Sequence, residues 1–303
     1  MLLDHLSNHS LIYGFPNETR SIPYFISHQG DYGDLTVDQN FMRLWRDMRQ
    51  SLVGRPKFKP ESIPAPDKSA RTAAGIIDHI MKYLAGAQGK EIWCEKSPMH
   101  VHHLQLLAQT FPKAKFIHVI RDGRDCAASF HRRWRFNPVR SVFRWKQAVT
   151  WGMQQGRALG PRYHEVRYEE ITVSPETVLR DILEFLGVPY EPAVLVSGRT
   201  RADFVASRES KVVRNLRRAD EYFGPATIAR MESVAGRLLT ELGYYSKNGS
   251  GDLDPGRWHL RLWQLVDDLR GFATLVSTQG RAVNWWRYVT SRLRNALRQK
   301  STL

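Results

Sequence analysis

With 303 residues the chain is long enough for one large core plus an appendage, and 45 Lys and Arg against 30 Asp and Glu give it a formal charge of +15. Such a balance favours anionic partners (a nucleotide, an acidic glycan or peptide, nucleic acid or a lipid surface) without choosing among them. Two cysteines, Cys94 and Cys126, are too few for a disulfide framework and lack metal-ligand spacing, so no zinc or other metal site is expected and a reducing compartment is the default. No run of about eighteen apolar residues offers a membrane span, and Met1 to Phe15 lacks the basic start and apolar middle of a signal peptide. A soluble, cytoplasmic protein is the expectation.

In chain order, Leu2 to Leu6 reads as a helix ended by Ser7-Asn8-His9-Ser10, and Leu11 to Phe15 as a short extended piece. Arg20 to Pro66 is mixed, with an aromatic helix near Phe41 to Leu52 and a Pro- and Lys-rich loop at Gly54 to Pro66. Thr72 to Leu84 has helical spacing, Glu91 to Glu95 is a brief strand, and a helix over His100 to Phe111 feeds a strand at Lys115 to Ile120. Val139 to Arg157 is a long helix, Tyr163 to Tyr168 a strand, Ser174 to Leu186 a helix with a Ser-Pro start, and Pro225 to Leu242 a helix closed by Gly243. Strands alternating with helices predict an α/β fold with a parallel sheet flanked by helices, whose ligands gather at the carboxyl ends of the strands. Gly249-Ser250-Gly251 reads as a linker dividing residues 1–248 from a basic, Trp-rich helical tail over 249–303. That tail suits a lipid surface, a partner helix or a flap over the acceptor site, or simply a helix pair packed on the domain.

The strand Lys115 to Ile120 stops abruptly in Arg121-Asp122-Gly123-Arg124-Asp125. This is how an anion site is built. Arg121 leaves the carboxyl end of the strand, Asp122 or Asp125 can cap the next helix, the helix start adds partial positive charge, and Ser129 follows one to two turns later.

The run KFIHVIRDGRDCAASF resembles the 3′-phosphate-binding segment of sulfotransferases that use 3′-phosphoadenosine 5′-phosphosulfate (PAPS), in which an Arg and a Ser eight residues later hold the 3′-phosphate; Arg121 and Ser129 have that spacing. Other segments fall into the same register. Trp93 to Pro98 is similar to the family's strand followed by Lys-Thr/Ser/Asp-Pro, which gives Lys96 the contact with the transferring sulfuryl group; the competing reading pairs Lys96 with Glu95 in solvent. Gly14 to Arg20 resembles the Glu-Thr-Arg segment of tyrosylprotein sulfotransferases and their bacterial relatives. By that resemblance Glu18 is the general base and Arg20 orients it or the substrate, against a plain Glu18–Arg20 loop pair. The small-molecule branch has a His after Lys-Thr; here that position is Pro98, leaving His100 as a substitute at the substrate. Arg167 to Glu170 matches the family's Arg-Tyr-Glu-Asp, which by that resemblance puts Tyr168 near the adenine, against a Tyr packed in the core. Phe185 to Pro189 looks like its Phe-Leu-Gly-x-Pro helix end, and Lys211 and Arg214 stand where a mobile basic loop covers the nucleotide in the family, against a plain solvated charge run.

One departure matters. The family's glycine-rich loop for the 5′-phosphosulfate, in a P-loop-like sheet, precedes the segment that Met1 to Asp4 resembles, so the chain is expected to start one strand and one loop late; Ser197 to Thr200 imitates such a loop at the wrong place in the strand order. Three readings follow: a PAPS-dependent sulfotransferase acting on a hydroxyl of a carbohydrate, a tyrosine or a small molecule; a truncated, noncatalytic binder of 3′-phosphonucleotides; or a basic nucleic-acid-binding protein. The first is preferred, with an acidic glycan or peptide as acceptor, no nucleic acid as partner, and peripheral membrane contact through the tail.

Overall fold

Four short strands form two parallel pairs in the structure, a computed structural model that describes residues 1–53, 62–67, 71–196 and 219–279, with side chains as far as Asp268. Strand β1 (Ile12–Gly14) pairs with β2 (Ile92–Cys94), Ile12 opposite Ile92 and Gly14 opposite Cys94. Strand β3 (Phe116–Ile120) pairs with β4 (Tyr163–Arg167), Phe116 opposite Tyr163 and Ile120 opposite Arg167. The parallel pairing expected from the alternation of elements is present, but as two pairs; among the described residues no strand joins β2 to β3. Side chains of both pairs nevertheless enter one apolar cluster, in which Ile12, Cys94, Ile117 and Val166 pack with Leu179, Ile182 and Leu183. Chain order and compactness divide the molecule into two units, Met1–Ile120 with Trp151–Asn215, and Arg121–Thr150 with Leu216–Leu303.

In the first unit, helix α1 (Leu2–Leu6) is tied down by polar contacts that its short length requires. His5 Nδ1 meets the Val194 carbonyl at 2.8 Å, and the Lys90 ammonium donates to the carbonyls of Ser7, His9 and Ile12. Helices α2 (Ile22–His28), α3 (Asp38–Val53) and α4 (Ala73–Gly86) surround a second core of Phe15, Leu44, Trp45, Met48, Ile76, Ile77 and Ile80. Thr72 caps α4 by accepting from Gly75 N at 3.0 Å. The helix expected over His100 to Phe111 is instead a 3-10 turn, Pro98–His103, leading into α5 (Leu104–Thr110). Pro98 can start a turn, and three weak helix formers, His100, His102 and His103, follow in it. Tyr168 opens α8 (Tyr168–Val173) rather than ending β4, and α9 (Pro175–Leu186) stops at Gly187, whose φ of 78° is the left-handed cap that glycine supplies.

The second unit begins at Arg121 with α6 (Gly123–Trp134), and α7 (Pro138–Arg157) carries the chain back to the first. Only glycine fits at 123: a Cβ there would lie 2.5 Å from the Trp145 ring, whose Nε1 donates to the Arg121 carbonyl at 2.9 Å. Helices α10 (Ala219–Tyr222), α11 (Pro225–Glu241) and α12 (Gly256–Gln279) complete it. The Gly249–Gly251 stretch lies along α11, with Arg237 N donating to the Gly251 carbonyl and Leu253 N to that of Ser233. Lys211, Arg214 and Ser197 to Thr200 lie outside the described residues, as does most of the Gly54 to Pro66 loop.

Candidate active site

Beyond β1 the chain turns through Pro16 and Asn17 and presents Glu18 to two cations. Glu18 Oε1 accepts from Lys96 Nζ at 2.9 Å, while Oε2 accepts from Arg20 Nε at 2.8 Å and Nη2 at 2.5 Å. The three residues named separately from the sequence thus form one cluster, and Lys96 is paired with Glu18 rather than with its neighbour Glu95. Glu18 is 24% exposed, Lys96 46% and Arg20 70%, so the cluster faces water and carries one surplus positive charge. Burial raises the affinity of Glu18 for a proton, but the hydrogen bonds and charges of Lys96 and Arg20 outweigh it and leave the carboxyl below its ordinary range.

Glu95 organises the inner side of this cluster, a role not anticipated from sequence. Its Oε1 accepts from Thr19 N at 3.0 Å and from Ser97 Oγ at 2.5 Å, and its Oε2 lies 3.1 Å from His100 Nδ1. Thr19 adjoins Glu18 and Ser97 adjoins Lys96, so one buried carboxylate ties together the two segments that carry the cation–carboxylate pair. Burial again pushes the Glu95 carboxyl up, and the contact with His100, then Ser97 and Thr19, brings it below the usual value. Beside a carboxylate, His100 donates from Nδ1, which leaves Nε2 as the acceptor in the neutral ring. That atom, with Thr19 Oγ1 and Asn17 Nδ2, is buried and meets no hydrogen-bond partner among the described residues. Three polar atoms of this kind around one loop are suited to receiving the polar groups of a ligand.

In the second unit, Asp122 is the N-cap of α6, its carboxylate accepting from Arg124 N at 2.8 Å. Arg121 Nη2 donates to Asp125 Oδ2 at 3.2 Å, and the other oxygen of Asp125 accepts from Ala219 N at 2.9 Å. Burial leads the causes that raise the Asp125 carboxyl above its ordinary value, against the lowering influence of Arg121. Ser129, exposed, stands one helical turn beyond Asp125 on the same face of α6. Arg124 has a different fate. It is buried between Asp122, which it meets through Nε at 3.1 Å and Nη2 at 2.7 Å, and Glu232 of α11, met through Nη1 at 2.5 Å.

A model of the sulfotransferase family matches residues 1–192. The chain belongs to the sulfotransferase family. Protein-tyrosine sulfotransferase 1 of Danio rerio is 26% identical over 214 residues, 64% of this chain and 59% of the relative, and protein-tyrosine sulfotransferase A of Caenorhabditis elegans is 29% identical over 169 residues, 50% of this chain and 44% of the relative. The chain therefore spans under two thirds of the length of these relatives. The sulfotransferase domain of the Synechococcus PCC 7002 olefin synthase superposes with a TM-score of 0.50 at 23% identity, covering 77% of this chain and 88% of that domain, which makes the α/β fold a shared one.

Tyr168 is half-buried at the start of α8. Among the described residues no group of three or more His, Cys, Asp or Glu is arranged to hold a metal ion, Cys94 and Cys126 are unbridged, and no helix is long and apolar enough to cross a membrane.

Proposed function

We propose that this sulfotransferase moves a sulfuryl group from PAPS to a hydroxyl, with Glu18 as general base, Lys96 at the bridging oxygen, and Arg121 with Ser129 on the ribose 3′-phosphate. The observation that carries the reading is the Glu18–Lys96 pair itself: a carboxylate and an ammonium held together at the surface, with Arg20 leaving charge for an anion. An exposed cluster of net positive charge fits a phosphosulfate, which supplies the activated sulfuryl group when bound. On the other unit, the Arg121 guanidinium is bonded by Asp125 at 3.2 Å, and Ser129 presents an exposed hydroxyl on the same helix face, which fits a phosphate that displaces the carboxylate.

Glu18 takes the proton of the acceptor hydroxyl as the new oxygen–sulfur bond forms, and Lys96 neutralises the phosphate oxygen released as the old one breaks. A carboxylate held by two cations is a poor base, so the reading requires Lys96 to leave Glu18 as it turns to that oxygen. Departure of the largest lowering influence restores basicity to Glu18 at the moment it is needed. His100 is assigned to accept a hydrogen bond from the acceptor, a reading supported by its contact with Glu95 through Nδ1 and by the unpartnered Nε2, and Tyr168 is assigned to the adenine face of the nucleotide. Relatives named for protein-tyrosine sulfation favour a tyrosine hydroxyl in a peptide over a carbohydrate or a small molecule.

Calorimetric titration of the 303-residue chain with adenosine 3′,5′-bisphosphate, beside transfer of labelled sulfate from PAPS to a tyrosine peptide, tests this. Glu18→Ala should keep nucleotide binding and lower transfer by about 10²- to 10⁴-fold, whereas Arg121→Ala should abolish binding. Unchanged nucleotide affinity in Arg121→Ala overturns the phosphate assignment, and wild-type transfer by Glu18→Ala overturns the base. Binding without transfer in the wild type would select a noncatalytic 3′-phosphonucleotide-binding protein, and salt-sensitive binding of nucleic acid with indifference to the nucleotide would select the third reading.

A further inference from the structure

Helix α12 carries apolar residues on two sides: Leu260, Trp263 and Val266 are half-buried toward the side of Asp267, and a second set faces water. Trp258 is 79% exposed, Leu262 58% and Leu265 59%. At about 100° per residue these three fall within an arc of about 60° on one side of the helix, and Asp267, nine positions after Trp258, falls opposite them. Asp267 is buried, accepting from Asn137 N at 2.7 Å and from Arg140 Nη1 at 2.7 Å. The charged group therefore anchors the helix to its own unit, and the apolar stripe points to solvent. A surface helix with one apolar side turned inward has no need of this second, exposed stripe.

Charge identifies the occupant. Arg257 and Arg261, both exposed, border the stripe on one side, and Arg261 stacks its guanidinium 5.5 Å from the Trp258 ring. Downstream, the sequence of residues 280–303 adds Arg281, Arg287, Arg292, Arg294, Arg298 and Lys300 with no Asp or Glu. Pairing this face with a second copy would set Arg257 and Arg261 against their like, and an acidic headgroup layer would neutralise them while the indole and the two leucines enter the acyl boundary. We propose that the Trp258–Leu262–Leu265 face of α12 rests on an anionic lipid surface. This places the protein at a membrane periphery by a device separate from the transfer site, and it holds whatever the acceptor is.

Cosedimentation of the 303-residue chain with vesicles of phosphatidylcholine alone, and of phosphatidylcholine mixed in equal parts with phosphatidylglycerol, reads the proposal directly. The wild type should bind the mixed vesicles, bind the neutral ones far more weakly, and be released by raised salt. Replacing Trp258, Leu262 and Leu265 together by Ser should weaken binding at least about tenfold while leaving the melting temperature unchanged, because the three side chains are already in water. Arg257→Glu with Arg261→Glu should erase the preference for the anionic vesicles. Three results overturn the proposal: vesicle binding undiminished in the triple variant, no binding of either vesicle by the wild type, or a concentration-dependent dimer that the triple variant abolishes in the absence of vesicle binding, which would give the face to a second copy.

Discussion

Arg124 and Glu18 each sit between two side chains of opposite charge, one group sealed in the second unit and the other half in water in the first. Arg124 is 8% exposed and its partners Asp122 and Glu232 are 7% and 1%; Asn248 donates to the remaining oxygen of Glu232, so the buried set is satisfied from within. Around Glu18 the cations outnumber the carboxylate and keep their outer faces in solvent. Identical chemistry thus serves two ends. The enclosed ions hold α6 against α11, and the exposed set keeps a surplus positive charge in water, which the proposed function assigns to a reactant. Within Arg121 to Asp125 two arginines three residues apart differ in the same way: Arg121 meets Asp125 at 3.2 Å and is 20% exposed, whereas Arg124 is enclosed by Asp122 and Glu232.

The largest consequence for stability is expected from the sealed cluster. Arg124→Ala leaves Asp122 and Glu232 buried without their counter-charge, a change that costs about 3–5 kcal/mol and should appear as a marked drop in melting temperature. If the loss is within about 0.5 kcal/mol, the usual range for surface positions, the contrast between the clusters fails. Glu95→Ala comes second, because it strips Thr19 N, Ser97 Oγ and His100 Nδ1 of their acceptor at once; each unmet buried group costs about 1–3 kcal/mol before relaxation. Its diagnostic is kinetic. With Glu18 and Lys96 no longer tied through their neighbours, kcat should fall while affinity for adenosine 3′,5′-bisphosphate holds, and Glu95→Gln, which can still accept from Thr19 N, should recover part of the rate. Equal kcat in the wild type and Glu95→Ala would reduce Glu95 to a structural residue.

How much of this was legible in advance varies by feature. Helix α9 and its stop were readable because Ser-Pro at the start and Gly187 at the end are local signals, and α4 because Thr72 precedes its apolar spacing. Helix α2 was missed, its Ile22-Pro23 opening and aromatic content reading as mixed chain, although Pro in the first turn is permitted. Division of the strands into two pairs depends on long-range hydrogen bonding that no local pattern reports. Glu18, Arg20 and Lys96 were found one by one through resemblance, yet their joining across 78 positions is tertiary. Glu95 escaped notice because adjacency to Lys96 made a neighbour pair the natural reading. Successive residues at the end of a strand point to opposite sides, however, and an acid two before Ser97 and five before His100 was the available clue. The two arginines of Arg121 to Asp125 are indistinguishable by type; only the presence of Glu232, far along the chain, decides which one is enclosed.

A gentler effect separates the clusters from the rest of the first unit by pH. Burial pushes His118 in β3 down to about 4, with Glu165 opposing and Arg167 adding to the shift, and Tyr163 Oη lies 2.6 Å from its Nδ1. Below the ordinary histidine value of about 6.5 the unfolded chain binds a proton that the folded one refuses, so stability falls as pH drops from about 6.5 to about 4, by at most about 1.4 kcal/mol per pH unit. The depressed carboxyls Glu18 and Glu95 act lower: their contribution is complete above about 4.3 and is lost only as pH falls through their folded values. Denaturation midpoints across this range should show the upper limb in the wild type and lose it in His118→Asn, which keeps a neutral acceptor toward Tyr163. An unchanged slope in that variant would assign the limb to another group.

Smallest in stability, and sharpest as a discriminator, is Lys96→Ala. An exposed pair contributes about 0–1 kcal/mol, so the melting temperature should barely move, in contrast to Arg124→Ala. On the proposed function, removal of the ammonium should nevertheless lower transfer by about 10²- to 10³-fold, since the charge developing on the phosphate oxygen would lose the cation assigned to it. The Glu18 carboxyl should rise toward its ordinary value, because the lowering hydrogen bond that outweighs the others comes from Lys96. Infrared or carbon-13 titration of Glu18 in the two proteins measures that rise independently of turnover. A Lys96→Ala protein that melts like Arg124→Ala while transferring sulfate at the wild-type rate would invert the two roles: the cluster in water would be holding the fold, and the enclosed one would have to be sought at the chemistry.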